Sequence, residues 1–145
     1  MLEKYHPKNC LTTFKKVSTI DDAINTSTPS LGLLQRAKGK EFSEVLITFW
    51  LVYLNNILNL NKPMSEDQIR LCSSMIVEEY YMLKISDITL IFKRIISGQY
   101  GEFYERLSID KVMIFFRTYL AERFNQAADN SLRNHENNIY KLKNT

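Results

Sequence analysis

Between Glu41 and Leu60 the apolar residues fall at 42, 45, 46, 49, 50, 53, 54, 57 and 58. Steps of three and four line one face of an α-helix and do not fit a strand. Ile47, Leu51 and Val52 widen that stripe, so the helix is expected to make contact on more than one side, as a central helix or as one that also meets a partner. Its most apolar window, Val45 to Leu54, is about half the length needed to cross a bilayer. Asn61-Lys62-Pro63 ends it, since proline cannot continue a helix.

Three more helices follow from the same periodicity. Ser65-Glu66-Asp67-Gln68 is a capping box, with two acids suited to the positive end of a helix dipole. Ile69, Cys72, Met75, Ile76, Tyr80 and Leu83 then mark one face. The next helix starts at Ser86-Asp87, buries Ile88, Ile91, Phe92, Ile95 and Ile96, and stops at Gly98; Thr89, Lys93 and Arg94 are expected to face outward. The last opens at Ser108 and carries Val112, Phe115, Phe116, Tyr119, Leu120 and Phe124. The expected fold is all-α: one bundle of four main helices over residues 41–128. Residues 1–40, broken by Thr26-Ser27-Thr28-Pro29-Ser30, Gly32 and Gly39, are expected to form a partly ordered arm, with room for short helices at Ile20–Ile24 and around Leu31–Ala37, the second with Ser30 as N-cap. Residues 129–145 are expected to form a polar tail that either continues as an exposed helix or frays.

Composition narrows the class. In 145 residues, 4 glycines are too few for a turn-rich sandwich or barrel, and 2 cysteines, Cys10 and Cys72, too few for a disulfide scaffold or a four-thiolate zinc site. The net charge is +3, with basic ends flanking a slightly acidic body. That is not the basic face of a duplex-DNA binder. The N-terminus lacks the apolar stretch of a secretory signal, and unpaired cysteines fit a reducing compartment. The expected location is therefore the cytoplasm, without membrane insertion.

No catalytic constellation emerges. His6 and His135 lie in the end segments with no metal-ligand spacing around them. Gly98-Gln99-Tyr100-Gly101 follows a helix where a phosphate loop needs a strand. Glu78 and Glu79 point about 100° apart on a helix, so they cannot flank one bond. The expectation is a non-enzyme with no catalytic residue, cofactor or metal.

The aromatic and basic residues after the third main helix suggest binding. Lys93, Arg94, Tyr100, Tyr104 and Arg106 form the candidate partner-binding group, because Tyr and Arg anchor protein interfaces and can also stack or neutralise nucleic acid. Tyr100→Ala and Arg106→Ala are expected to weaken binding more than stability. A helix-turn-helix at Lys84-Ile85 is a weak candidate: Asp87 stands at the DNA end, and few residues are left to read bases.

The order Pro29-Ser30-Leu31, Trp50-Leu51, Leu54-Asn55, Met64-Ser65, Gln68-Ile69, Leu83 to Asp87, Gly98-Gln99-Tyr100-Gly101 and Tyr119 to Arg123 resembles small helical proteins of unassigned function encoded by phages and mobile elements of Bacteroides-type bacteria, over about residues 29–128. More loosely, Glu78–Leu83 and Asp87–Tyr100 are similar to phage helicase loaders, with Gly98-Gln99-Tyr100-Gly101 in place of their Pro-Pro-rich turn. An AT-rich source agrees with 14 Ile, 12 Lys and 12 Asn. These resemblances imply an accessory protein that binds another protein, with a replicative helicase as named candidate. Nucleic-acid binding through the basic arm and Lys93/Arg94/Arg106, a virion role, and self-association are the alternatives.

Overall fold

The computed structural model describes residues 2–101 and 106–143. Among them a 3₁₀ turn, Leu2–Tyr5, precedes seven α-helices: α1 (Pro7–Thr13), α2 (Ile20–Asn25), α3 (Leu31–Lys38), α4 (Lys40–Ile57), α5 (Glu66–Glu79), α6 (Ile85–Ile96) and α7 (Ile109–Lys143). The four main helices expected from periodicity are α4 to α7, and the fold is all-α.

Local chemistry sets the boundaries. The capping box at α5 is present, with the Gln68 N–H donating to Ser65 Oγ and the Ser65 N–H to Gln68 Oε1 at 2.8 Å. α4 ends with Asn59 in the left-handed region at φ 49°, a conformation that asparagine tolerates better than most residues. α6 ends at Gly98, φ 81°. The Gly98 N–H donates to the Ile95 carbonyl and the Gln99 N–H to the Arg94 carbonyl, the pair of bonds that closes a Schellman motif.

The core centres on α6, where every residue from Ile85 to Phe92 is buried. Trp50 of α4 stacks on Phe92 with ring centroids 4.8 Å apart, and Phe116 of α7 meets Phe92 edge-on at 5.9 Å. α5 runs antiparallel to α4. The Asn55 side chain clips the loop between them, its Nδ2 donating to the Met64 carbonyl at 2.9 Å and its Oδ1 accepting from the Met64 N–H at 3.0 Å.

Burial of α6 corrects two expectations. Thr89 and Asp87 are fully buried rather than outward. A helix enclosed on all sides also cannot enter a DNA groove, so the helix-turn-helix reading fails.

The N-terminal arm is more ordered than its breakers suggest. Cys10, Val17, Ile20, Ala23, Leu31 and Leu34 all join the core, and α6 holds the arm by polar bonds. Lys84 Nζ donates to the carbonyls of Ile24 and Thr26. Lys93 Nζ donates to those of Phe14 and Val17 at 2.8 Å each, and to that of Lys15 at 3.3 Å. Both ammonium groups thereby meet carbonyls at the ends of short helices, where backbone acceptors are unpaired and the dipole favours a cation. Ser86 Oγ adds a bond to the Ala23 carbonyl at 2.7 Å.

At the far side of α6, the carboxylate of Asp87 accepts from the Lys84 N–H at 2.9 Å, the Tyr119 hydroxyl at 2.6 Å and Arg123 Nε at 3.0 Å. A fully buried charge is tolerable only with such partners. Burial and the nearby Asp87 charge push the Tyr119 phenol strongly up, so it stays a donor. The polar tail is helical through Lys143. Each residue from 131 to 143 is exposed, and Arg133, Asn134 and Asn137 face Asp21 and Asn25 of α2 across a shallow hollow.

Candidate functional site

Among the described residues the expected binding group comes together only in part. Lys93 is spent on the carbonyls that end α1, and desolvation lowers its pKa. Arg94 and Tyr100 do meet: Arg94 Nη1 donates to Glu122 Oε2 at 3.0 Å and to the Tyr100 hydroxyl at 3.4 Å. The guanidinium also lies 5.5 Å from the Tyr119 ring. Tyr100 stacks on Phe115 at 5.2 Å. These two residues fasten the α6–α7 turn to α7 and are half-buried. Arg106 is exposed, next to Lys62 through a short backbone bridge. No bond joins it to Arg94 or Tyr100. Tyr104 lies outside the described residues.

A different surface has the shape of a binding site. It lies between α4 and α5, where side chains at 45, 48 and 52, one and two turns apart, face 66, 69, 70 and 73 across an antiparallel pair. The groove encloses about 580 Å³ and is lined by Glu41, Glu44, Val45, Thr48, Val52, Glu66, Ile69, Arg70 and Ser73. That volume lies within the usual range for ligand sites.

Its floor is Val45, Val52, Thr48 and Ile69. Thr48 Oγ1 lies 2.8 Å from the Glu44 carbonyl and 2.9 Å from Ser73 Oγ, so both hydroxyls have partners. Val52 is 42% exposed, unusual for the flank of a helix whose other side is core. The rim is charged. Glu66 pairs with Arg70 at 3.3 Å, Lys40 approaches Glu44 at 4.0 Å, and Glu41 has an exposed carboxylate. With Asp67 just outside, the acids outnumber the bases.

Among the described residues no group of His, Cys, Asp and Glu could hold a metal ion. The thiols are poor nucleophiles: burial pushes Cys10 up to about 11 and Cys72 up to about 12. No helix among the described residues is long and apolar enough to cross a membrane.

Of the three residues that widened the apolar stripe of α4, Ile47 and Leu51 are buried in the core and Val52 surfaces in the groove. Sequence periodicity gave no hint of the α5 wall, since Ile69 read as core and Glu66 as an acid placed for the helix dipole. Comparison with known proteins adds a family but no activity. No curated protein and no solved structure matches the chain. The model of DUF6633, a family of unknown function, matches residues 62–144, which run from the α4–α5 loop through α7.

Proposed function

We propose, for a chain that belongs to DUF6633, a non-enzymatic role: an accessory protein that binds an amphipathic helix of another protein in the α4–α5 groove. The observation that carries this reading is an apolar trough between two antiparallel helices with carboxylates on its rim. A helix with apolar residues at i, i+3, i+4 and i+7 fills such a trough. Lysines or arginines beside that stripe would meet Glu41, Glu44 and Glu66, and charge complementarity would raise the encounter rate. The resemblance to proteins of phages and mobile elements, and the looser one to helicase loaders, makes a bacterial replicative helicase the first partner to test.

The test is direct binding of the purified chain to such a helicase by biolayer interferometry, with Val45→Asp/Val52→Asp as the groove variant. Both valines are at least partly exposed, so the variant should keep its melting temperature while affinity falls at least tenfold. Helicase binding that survives the double substitution places the partner elsewhere and ends the groove reading. Absence of helicase binding ends the replication version.

A further inference from the structure

The α4–α5 groove does not stop at the start of α4. A second hollow of about 440 Å³ continues it, walled by α3 through Gln35 and Arg36 and by the end of α5 through Val77 and Tyr81. Three features join the two. Ser73 lines the first hollow, and Val77, one turn further on the same face of α5, lines the second. Lys40 of the second lies 4.0 Å from Glu44 of the first. The Gly32 N–H donates to the Tyr81 carbonyl at 2.8 Å, which ties α3 to the end of α5 beyond the first turn of α4. From Glu66 to Glu78 the trough follows α5 for about 18 Å, room for a helix of a little over three turns.

Charge changes sign along the trough. At the end nearest Val52 the rim carries Glu66, with Asp67 just outside, against Arg70. At the far end Arg36 and Lys40 stand against Glu78. Glu41 and Glu44 lie between. Each end thus has two charges of one sign against one of the other, acidic beside Val52 and basic beside α3. The ion pairs within the rim, Glu66–Arg70 and Lys40–Glu44, reach into solvent. Exposed pairs of this kind are worth little, so their charges can turn to a partner.

We infer, resting on the reading that the groove takes a helix of another protein, that this helix spans both hollows and lies in one direction. Its N-terminus sits over Glu66, its C-terminus over Arg36 and Lys40, and it runs parallel to α5. A helix carries partial positive charge at its N-terminus, where N–H groups are unpaired, and partial negative charge at its C-terminus, where carbonyls are. This direction sets each end against the opposite charge. The reverse direction sets each against its own sign. Basic residues beside the apolar stripe then fall over Glu41 and Glu44, in the middle of the trough. The last turn lies against Val77 and the ring of Tyr81, which is 55% exposed. The partner segment is therefore an amphipathic helix with a basic middle and an acidic C-terminal end.

Amide NMR of the isotope-labelled full chain tests this with a helix-stabilised synthetic peptide. The peptide has leucines at i, i+3, i+4 and i+7, lysines beside them, a nitroxide at either end, and a C-terminus made as free carboxylate or as amide. Expected are shifts in both hollows, with the C-terminal nitroxide broadening Gly32, Gln35 and Arg36 and the N-terminal one broadening Glu66 and Ile69. The carboxylate form should bind about two- to fivefold tighter, the range for one charge at a helix end. Arg36→Glu/Lys40→Glu should abolish that preference at an unchanged melting temperature, since both residues are exposed. Reversed broadening, shifts confined to the α4–α5 hollow, no carboxylate preference, or one that survives the double substitution would each overturn this proposal and leave the groove reading standing. A peptide that shifts neither hollow would overturn both.

Discussion

Asp87 shows how much one side chain can organise. It is fully buried and binds groups from α7 and from the start of its own helix. Asp87→Ala strands the Arg123 guanidinium and the Tyr119 hydroxyl, and breaking a buried ion pair from one side costs about 3–5 kcal/mol. Urea denaturation should show that loss, whereas Tyr119→Phe, which removes one neutral donor, should cost about 1–2 kcal/mol. Asp22 makes a pH prediction. The Ser18 backbone N–H, then the Thr19 side chain and N–H, hold its carboxyl below the ordinary 3.8. A depressed carboxyl stabilises the fold above its unfolded pKa, and that share is lost as pH falls below 3.8 towards the folded value. Melting curves of Asp22→Asn should therefore converge with those of wild type as pH drops through this window. At this scale the sequence was least legible. Periodicity placed the Cα atoms of Lys93 and Arg94 well enough, but both side chains turn back to acceptors supplied by segments far away in the chain. Tyr100 was read as a binding residue; with Phe115 stacked beneath it, Tyr100→Ala should lower the melting temperature measurably.

Among the elements, those with strong local signals were readable. The capping box at Ser65, the stop at Gly98 and the stripe of α4 each depend on residues within a few positions of one another. α1, α2 and α3 have six to eight residues each, short enough that only local caps and breakers mark them, and their packing is tertiary: α6 supplies partners to α1 and α2, whereas α3 packs on α4. The α4–α5 loop depends on Asn55, whose two bonds to Met64 no local pattern announces. Asn55→Ala removes both, at about 1–3 kcal/mol, and amide exchange around Met64 should accelerate more than exchange in α6. Gly98→Ala puts a side chain on a left-handed residue and should cost about 1 kcal/mol. Nothing lies within 4 Å of the added methyl group, so backbone strain alone sets that figure.

For the molecule as a whole, the helical class was legible because nearly half the chain is apolar and its spacing is that of helices. The groove was only half legible: excess apolar surface on α4 was visible, but a groove has two walls, and which helix faces which is a tertiary fact. The family match begins at Lys62 and leaves out α4, so it takes in only the α5 wall. The ammonium groups of Lys84 and Lys93 have one more consequence, for a chain still being made. The carbonyls they bind lie 58 to 79 residues upstream, so the first thirty residues leave the ribosome long before their fasteners exist. Loop closure over such separations must wait for α6. Residues 14–26, made before α6, are then among the last to lock, and a nascent chain halted before Lys84 should leave them open to protease.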